Sequence, residues 1–395
     1  MKHFLVLLSF FVSYCCSYCS DTIDGMTIIN HIPQTEKKYI GSPCLCVLDD
    51  GTYLASHDVF GPKSNSHMSG EVHIFSSKDQ GKTWKQISVI HGQYWSSLFT
   101  LNGKLYIMGP NREHGSIVIR ASEDNGYTWT TPYLAENGII LPGEYHTASM
   151  PFLFYKGRIW RAVEYASAPT TKWPSRYSAM VISASVKDDL LNAKNWRKTN
   201  FIMRQPDWLD GNFAGWLEGQ VLVTPKGDLV NFLRVDAPKT DNEYAASVHI
   251  SKNGKKATFD PLTGFTKMPG GSKKFDIHYD SVSQRYLTLT NYVTSDYKGK
   301  NLNFAFVRNT LALCSSSDLK NWTVHKIIIQ HPDHKKHGFQ YTSWLFDKND
   351  IIMVIRTADD DENGGANTAH NSNYLTFYRL KNFRNLLEQC VEVFK

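Results

Sequence analysis

Short clusters of Tyr, Trp, His, Arg and acidic residues recur along this chain. One set reads Gln93-Tyr94-Trp95, Glu144-Tyr145-His146, Trp216-Leu217-Glu218, His278-Tyr279-Asp280 and Phe339-Gln340-Tyr341. A second reads His57-Asp58, Arg112-Glu113-His114, Arg161 with Glu164, Arg234, Asn291-Tyr292 and Arg356. Together they suit a sugar that carries a carboxylate. A guanidinium fork grips a carboxylate through two parallel charge-assisted hydrogen bonds, and Trp95, Tyr145 or Trp216 offers a flat face to a pyranose ring. Two reactions follow. Arg and a protonated or neutral His can neutralise a uronate's C5 carboxylate so that Tyr or His takes the C5 proton and the O4 substituent leaves. Alternatively a Tyr–Glu pair attacks the anomeric carbon while a carboxylic acid protonates the leaving group.

Other chemistries find no support. The chain has no Ser-His-Asp elbow, phosphate loop, zinc helix or Cys nucleophile motif. Lys and Arg number 43 against 37 Asp and Glu, a net charge of +6 over 395 residues, and the basic residues form no run that would track nucleic acid. No nucleic-acid partner is expected, and a monomer is.

The elements that must bring the clusters together are repeats. A short strand, a polar turn and a second strand occur around Gly51, Gly103, Gly157 and Gly227, then less regularly over 279–289 and 344–355, giving six hairpins. A third strand follows each, ending twice in the same turn, Ser77-Lys-Asp79-Gln-Gly81-Lys-Thr83-Trp84 and Ser122-Glu-Asp124-Asn-Gly126-Tyr-Thr128-Trp129. Looser copies stand at Ser316-Ser-Asp318-Leu-Lys-Asn-Trp322 and in 183–196. Four antiparallel strands in every roughly 50 to 65 residues predict an all-β, single-domain β-propeller. In such a blade the hairpin turn and the Ser-x-Asp turn share one rim. The opposite rim, around the axial funnel, receives the starts of the first strands and the ends of the second strands, where both sets of clusters lie.

Ser-x-Asp-x-Gly-x-Thr-Trp resembles the Asp-box (BNR repeat) of the sialidase-like propellers, over about 40–385. The segments Tyr53-Leu-Ala-Ser-His57-Asp58, Trp95-Ser-Ser-Leu-Phe99, Met108-Gly-Pro-Asn-Arg112-Glu-His114-Gly115, Gly143-Glu-Tyr145-His146, Gly157-Arg-Ile-Trp-Arg161-Ala and Gly338-Phe-Gln-Tyr341 are similar to propellers that cleave L-rhamnose from glucuronate by hydrolysis or lyase action, relatives of the ulvan lyases. That resemblance implies seven blades, with Tyr145 and Arg161, sixteen residues apart, as proton-transfer residue and carboxylate clamp. It gives His57 and His114 the remaining acid, base or orienting roles, and it allows a calcium ion though no cofactor is required. Trp95 stands where the lyases have a His. Substrate contacts are expected from Trp95, His146, Glu218, Arg234, Tyr279, Tyr341 and Arg356. A plain sialidase would have an Arg where this chain reads Tyr39-Ile40-Gly41-Ser42-Pro43, but Arg161, Arg234 and Arg356 can still form a triad with Glu218 and Tyr279 or Tyr341 as the nucleophile pair. A non-catalytic glycan-binding propeller is the reading from another class.

Residues 1–20 read as a signal peptide and 21–395 as the propeller, which predicts an exported protein, periplasmic, extracellular or lipid-tethered, with no transmembrane segment. Cys44, Cys46, Cys314 and Cys390 read as buried free thiols. The acidic run Asp359–Glu362, which could supply a cation ligand, and the histidines His331, His334 and His337, which could bind a metal, read first as two solvated loops.

Overall fold

All six hairpins form. In the computed structural model, which describes residues 22–394 except 24 and 241, they are the inner strand pairs of six antiparallel sheets. The expected leader, residues 1–20, lies outside the described residues. Blade 1 runs Cys44–Val47, Tyr53–Phe60, Glu71–Ser77 and Lys85–His91, with Tyr39–Ile40 extending its inner edge. Blade 2 is Ser97–Leu101, Lys104–Pro110, Ile117–Ser122 and Ile139–Leu141. Blades 3, 4 and 5 repeat the order from Tyr145–His146, Gly215–Val223 and Asp276–Asp280. Blade 6 takes Gly338–Asp347, Asp350–Ala358 and Tyr374–Leu380 from the end of the chain and Met26–His31 from its beginning, with Thr27 opposite Phe377. The blade count is therefore six; the seventh implied by resemblance is absent among the described residues. Among the described residues no helix is long and apolar enough to cross a membrane.

Inner strands are buried on both faces because each blade is sandwiched between two others. This explains unbroken apolar runs such as Ile351-Ile-Met-Val-Ile355 in place of alternation. Six apolar clusters fill the six seams. In the closing seam, Ile352, Val354 and Phe377 of blade 6 meet Leu45, Ala55 and Phe75 of blade 1.

The Ser-x-Asp turns hold the outer rim. Ser77 Oγ donates to Asp79 Oδ1 (2.8 Å), Gly81 N–H to Ser77 Oγ (2.9 Å), Thr83 N–H to Asp79 Oδ1 (2.9 Å) and Trp84 Nε1 to Gly81 O (3.1 Å). The same bonds recur at Ser122, Asp124, Gly126, Thr128 and Trp129. Gly81 has φ +89°, and a Cβ there would stand 2.2 Å from the Phe377 ring of blade 6, so only glycine fits. Cys44, Cys46 and Cys314 are buried free thiols, as expected; Cys390 is exposed, a correction.

Candidate functional site

A cavity of about 610 Å³ opens at the axis on the rim opposite those turns. Its wall includes Asp58, Tyr94, Trp95, His114, His146, Trp173, Glu218, Tyr341, Arg356 and His370, drawn from all six blades or the loops between their strands except blade 5. Blade 5 contributes Arg308, just beneath, whose guanidinium carbon lies 5.8 Å from the Tyr341 ring centre.

Glu218 and Tyr341 reach the cavity through the same local device. Each interrupts its blade's first strand at a bulge, between Leu217 and Gln220 and between Gln340 and Ser343, and each has a left-handed backbone, φ +52° and +55°. Left-handed non-glycine residues are uncommon and cost of the order of 1–3 kcal/mol each, so two at matching positions mark a site the surrounding sheets hold in place. Trp95 (+41°) and His114 (+57°) share this feature.

The bulges set up a relay. Tyr341 donates its hydroxyl to Glu218 Oε1 (2.7 Å), while Arg234 Nη1 donates to Glu218 Oε2 (3.0 Å) and lies 3.4 Å from the Tyr341 oxygen. Burial alone would raise the Glu218 carboxyl; Arg234, His146 and the Tyr341 hydrogen bond outweigh it and hold the group below its usual range. Burial and then the Glu218 charge raise Tyr341. The tyrosine therefore needs a base, and Glu218 is ionised beside it. Arg234 is further fixed by Ser272 O (2.7 Å), and Arg356 lies 4.9 Å from the Tyr341 ring centre. Three guanidinium groups thus surround one phenol.

Behind Glu218, Glu164 is fully buried. Its Oε1 accepts from Gly219 N (3.0 Å), the peptide next to the strained residue, and its Oε2 lies 3.1 Å from His146 Nδ1. On the facing wall, Asp58 Oδ1 accepts from Ser42 N (3.1 Å) while its buried Oδ2 has no hydrogen-bond partner. Burial, partly offset by Arg356, pushes this carboxyl up to about 7. Gly41 leaves room for it: a Cβ there would lie 2.1 Å from Oδ2.

The sequence-predicted residues divide. Trp95, His114, His146, Glu218, Tyr341 and Arg356 line the cavity, with Arg234 directly behind Glu218. His114 accepts from or donates to the Tyr177 hydroxyl, and burial with nearby His146 pushes its imidazole down to about 3. The other expected placements are corrected. Tyr145 stands opposite Tyr165 and its ring packs in the seam between blades 2 and 3; the alternate pair, His146 opposite Glu164, faces the axis. Arg161 is mid-strand, deep under the funnel, bonded to Thr147 Oγ1 and the carbonyls of Ala148 and Met150. His57 is fully buried between Asn30 and His73, and it is its neighbour Asp58 that meets the cavity. Tyr279 is half exposed on another face. The sequence reading had missed Trp173, Arg308 and His370. They sit on loops between second and third strands, which open on the same rim.

No family model matches the chain, and no curated protein matches it. Among solved structures it is similar to the α-L-arabinanase of Penicillium chrysogenum complexed with arabinobiose, at 15% identity and a TM-score of 0.57, over 93% of this chain and 100% of that one. An α-L-arabinofuranosidase of Fusarium graminearum in complex with an iminosugar inhibitor is similar at 13% identity and TM-score 0.56, over 92% and 99%. Trypanosoma rangeli sialidase in complex with sialic acid is similar at 16% identity and TM-score 0.55, over 89% of this chain and 55% of that one. At these identities the likeness is one of fold: the chain is an all-β, six-bladed propeller.

Proposed function

We propose that the protein is a retaining exo-glycosidase for a terminal sugar that carries a carboxylate on its anomeric carbon, a sialic-acid type. The observation that carries this reading is the Tyr341–Glu218–Arg234 relay, a nucleophile, its base and the group that orients the base, within hydrogen-bond reach at the cavity wall. Tyr341 Oη attacks the anomeric carbon and gives its proton to Glu218. Neutral Asp58 protonates the leaving oxygen, and the glycosyl-tyrosine is then hydrolysed by a water that Asp58, now a carboxylate, deprotonates. Using tyrosine spares a substrate carboxylate the approach of a second full negative charge. Arg356, with Arg234 and Arg308 flanking the phenol, supplies the positive field that holds it.

The place where a sialidase would have its first Arg is here Gly41, filled by Asp58, and Arg356 brings a guanidinium from blade 6 instead. A neutral arabinose, the ligand type of the fungal neighbours, would bring no anion to the buried guanidinium groups of Arg308 and Arg356, whose hydrogen bonds go to neutral oxygens. The rhamnose–glucuronate reading drew on Tyr145 and Arg161, which lie off the cavity. The apolar leader supports an exported enzyme, which would meet such glycans outside the cell.

Incubation with an α-linked sialoside bearing a fluorogenic aglycone tests the reading: release of the aglycone, with the α-anomer of the free sugar appearing first by NMR, is expected. No release from sialosides, with rhamnose or an unsaturated uronate set free from rhamnose-capped arabinogalactan, would overturn it.

A further inference from the structure

Two loops that read separately as solvated surface come together at the edge of blade 6. His337, just before the strand that carries Tyr341, is 5% exposed, and neither ring nitrogen makes a hydrogen bond. Its Nε2 nevertheless faces two carboxylates, Asp359 Oδ1 at 3.3 Å and Asp360 Oδ2 at 3.6 Å, and these three ligand atoms lie within 4.8 Å of one another. A buried imidazole left without a hydrogen bond is costly, and here it is aimed into the acidic pair.

We infer that His337, Asp359 and Asp360 bind a first-row divalent cation, Zn²⁺ foremost. Metal bonds of about 2.0–2.2 Å at a near-tetrahedral angle separate ligand atoms by about 3.4 Å, which matches the 3.3 and 3.6 Å spacings. An imidazole with two carboxylates suits zinc or manganese and is a poor calcium set, since calcium takes oxygen ligands. The other ring nitrogen, Nδ1, points toward Asp333 Oδ2 at 3.7 Å. A carboxylate on that side favours the Nδ1-protonated tautomer, which leaves Nε2 free for a metal. His331 stacks on the ring, centres 3.5 Å apart, and holds its plane.

The ion would tie the 331–337 loop to the 359–373 loop. The second loop carries His370 of the cavity wall, whose carbonyl accepts from Arg356, and its Ala369 N donates to Lys335 O across the same gap. The metal would thus set the position of Arg356 without touching the substrate.

Calorimetric titration of the chelator-stripped full chain with ZnCl₂ tests this, alongside visible absorbance with CoCl₂. One ion per chain, ligand-field bands of a four- or five-coordinate Co²⁺ site, and affinity lowered tenfold or more in both His337→Ala and Asp360→Asn are expected. Asp360 is exposed, so its variant folds even where His337→Ala does not. Absence of uptake, uptake unchanged in Asp360→Asn, or preference for CaCl₂ over ZnCl₂ would each overturn the site. The outcome is independent of the hydrolase reading, which is scored on sialoside cleavage.

Discussion

Tyr341 and Glu218, 123 positions apart in sequence, share a 2.7 Å hydrogen bond between two strained bulges. Tyr341→Phe removes the nucleophilic oxygen but leaves the Glu218–Arg234 pair, so kcat should fall by about 10² to 10⁴ with stability little changed. Glu218→Gln should lose activity similarly and also destabilise the fold by about 3 kcal/mol, because Arg234 keeps a buried charge without its partner. Urea unfolding of the two variants beside their kinetics separates these effects.

Asp58 predicts that stability and activity both fall as pH rises through neutrality. Its folded value of about 7 lies above the ordinary carboxyl value of about 3.9. The group therefore favours the fold fully below the unfolded value, and that contribution is lost as pH rises through about 7. Asp58→Asn should flatten this loss, raising the urea midpoint relative to the parent at pH 8 while abolishing turnover. In the parent, activity should fall on the alkaline side as the acid ionises and on the acid side as Glu218 protonates. A parent profile flat across neutrality would remove Asp58 from the acid role.

Gly41 is the counterpart of that carboxyl. In Gly41→Ala the new methyl carbon would lie 2.1 Å from Asp58 Oδ2 and 2.7 Å from its backbone oxygen, too close for a side-chain shift alone to relieve. A cost of about 1–3 kcal/mol is expected, with a loss of kcat larger than that of Ser42→Ala, which keeps the Ser42 backbone donor. Equal activity in the two variants would contradict the packing.

Much of this arrangement is legible in the sequence. The Ser77 and Ser122 turns are local, each completed within eight residues by bonds from its own side chains, so type and spacing alone specify them. Which side of a strand meets the axis is not local. Tyr145 and His146, or His57 and Asp58, are adjacent, and strand alternation sends one member to a blade seam and the other to the funnel. Arg161 shows the second limit. Three residues into its strand from Arg158, it lies at mid-depth, where it satisfies carbonyls instead of meeting solvent. The bulge at Tyr341 has no glycine or proline to announce it, and at Glu218 the one glycine, Gly219, reads as part of an ordinary strand until Asn231 is seen packed against it.

Glu164 offers a test of positioning. It touches no cavity space, yet its two oxygens hold Gly219 N and face His146. Glu164→Gln keeps one acceptor for Gly219 but loses the charge opposite His146. About a tenfold fall in kcat is expected with KM nearly unchanged, and the acid limb of the pH profile should move, since His146 influences the Glu218 carboxyl. A change in KM alone would assign Glu164 to substrate binding instead.

Ring closure makes the last prediction, because it couples residues from opposite ends of the chain. Phe377 of blade 6 packs against Tyr53 and Trp84 of blade 1, with ring centres 6.1 and 5.6 Å apart, and occupies the space a Gly81 side chain would need. Phe377→Ala should cost about 3–5 kcal/mol by leaving a void in the closing seam. Gly81→Ala should cost through steric overlap and through its positive φ. In the double variant the void admits the new methyl, so the combined loss should be smaller than the sum of the single losses by at least about 0.5 kcal/mol in urea unfolding. Strict additivity would mean that the first and last blades do not meet in solution as they do here, and with them the shared wall of Asp58 and Arg356 would be lost.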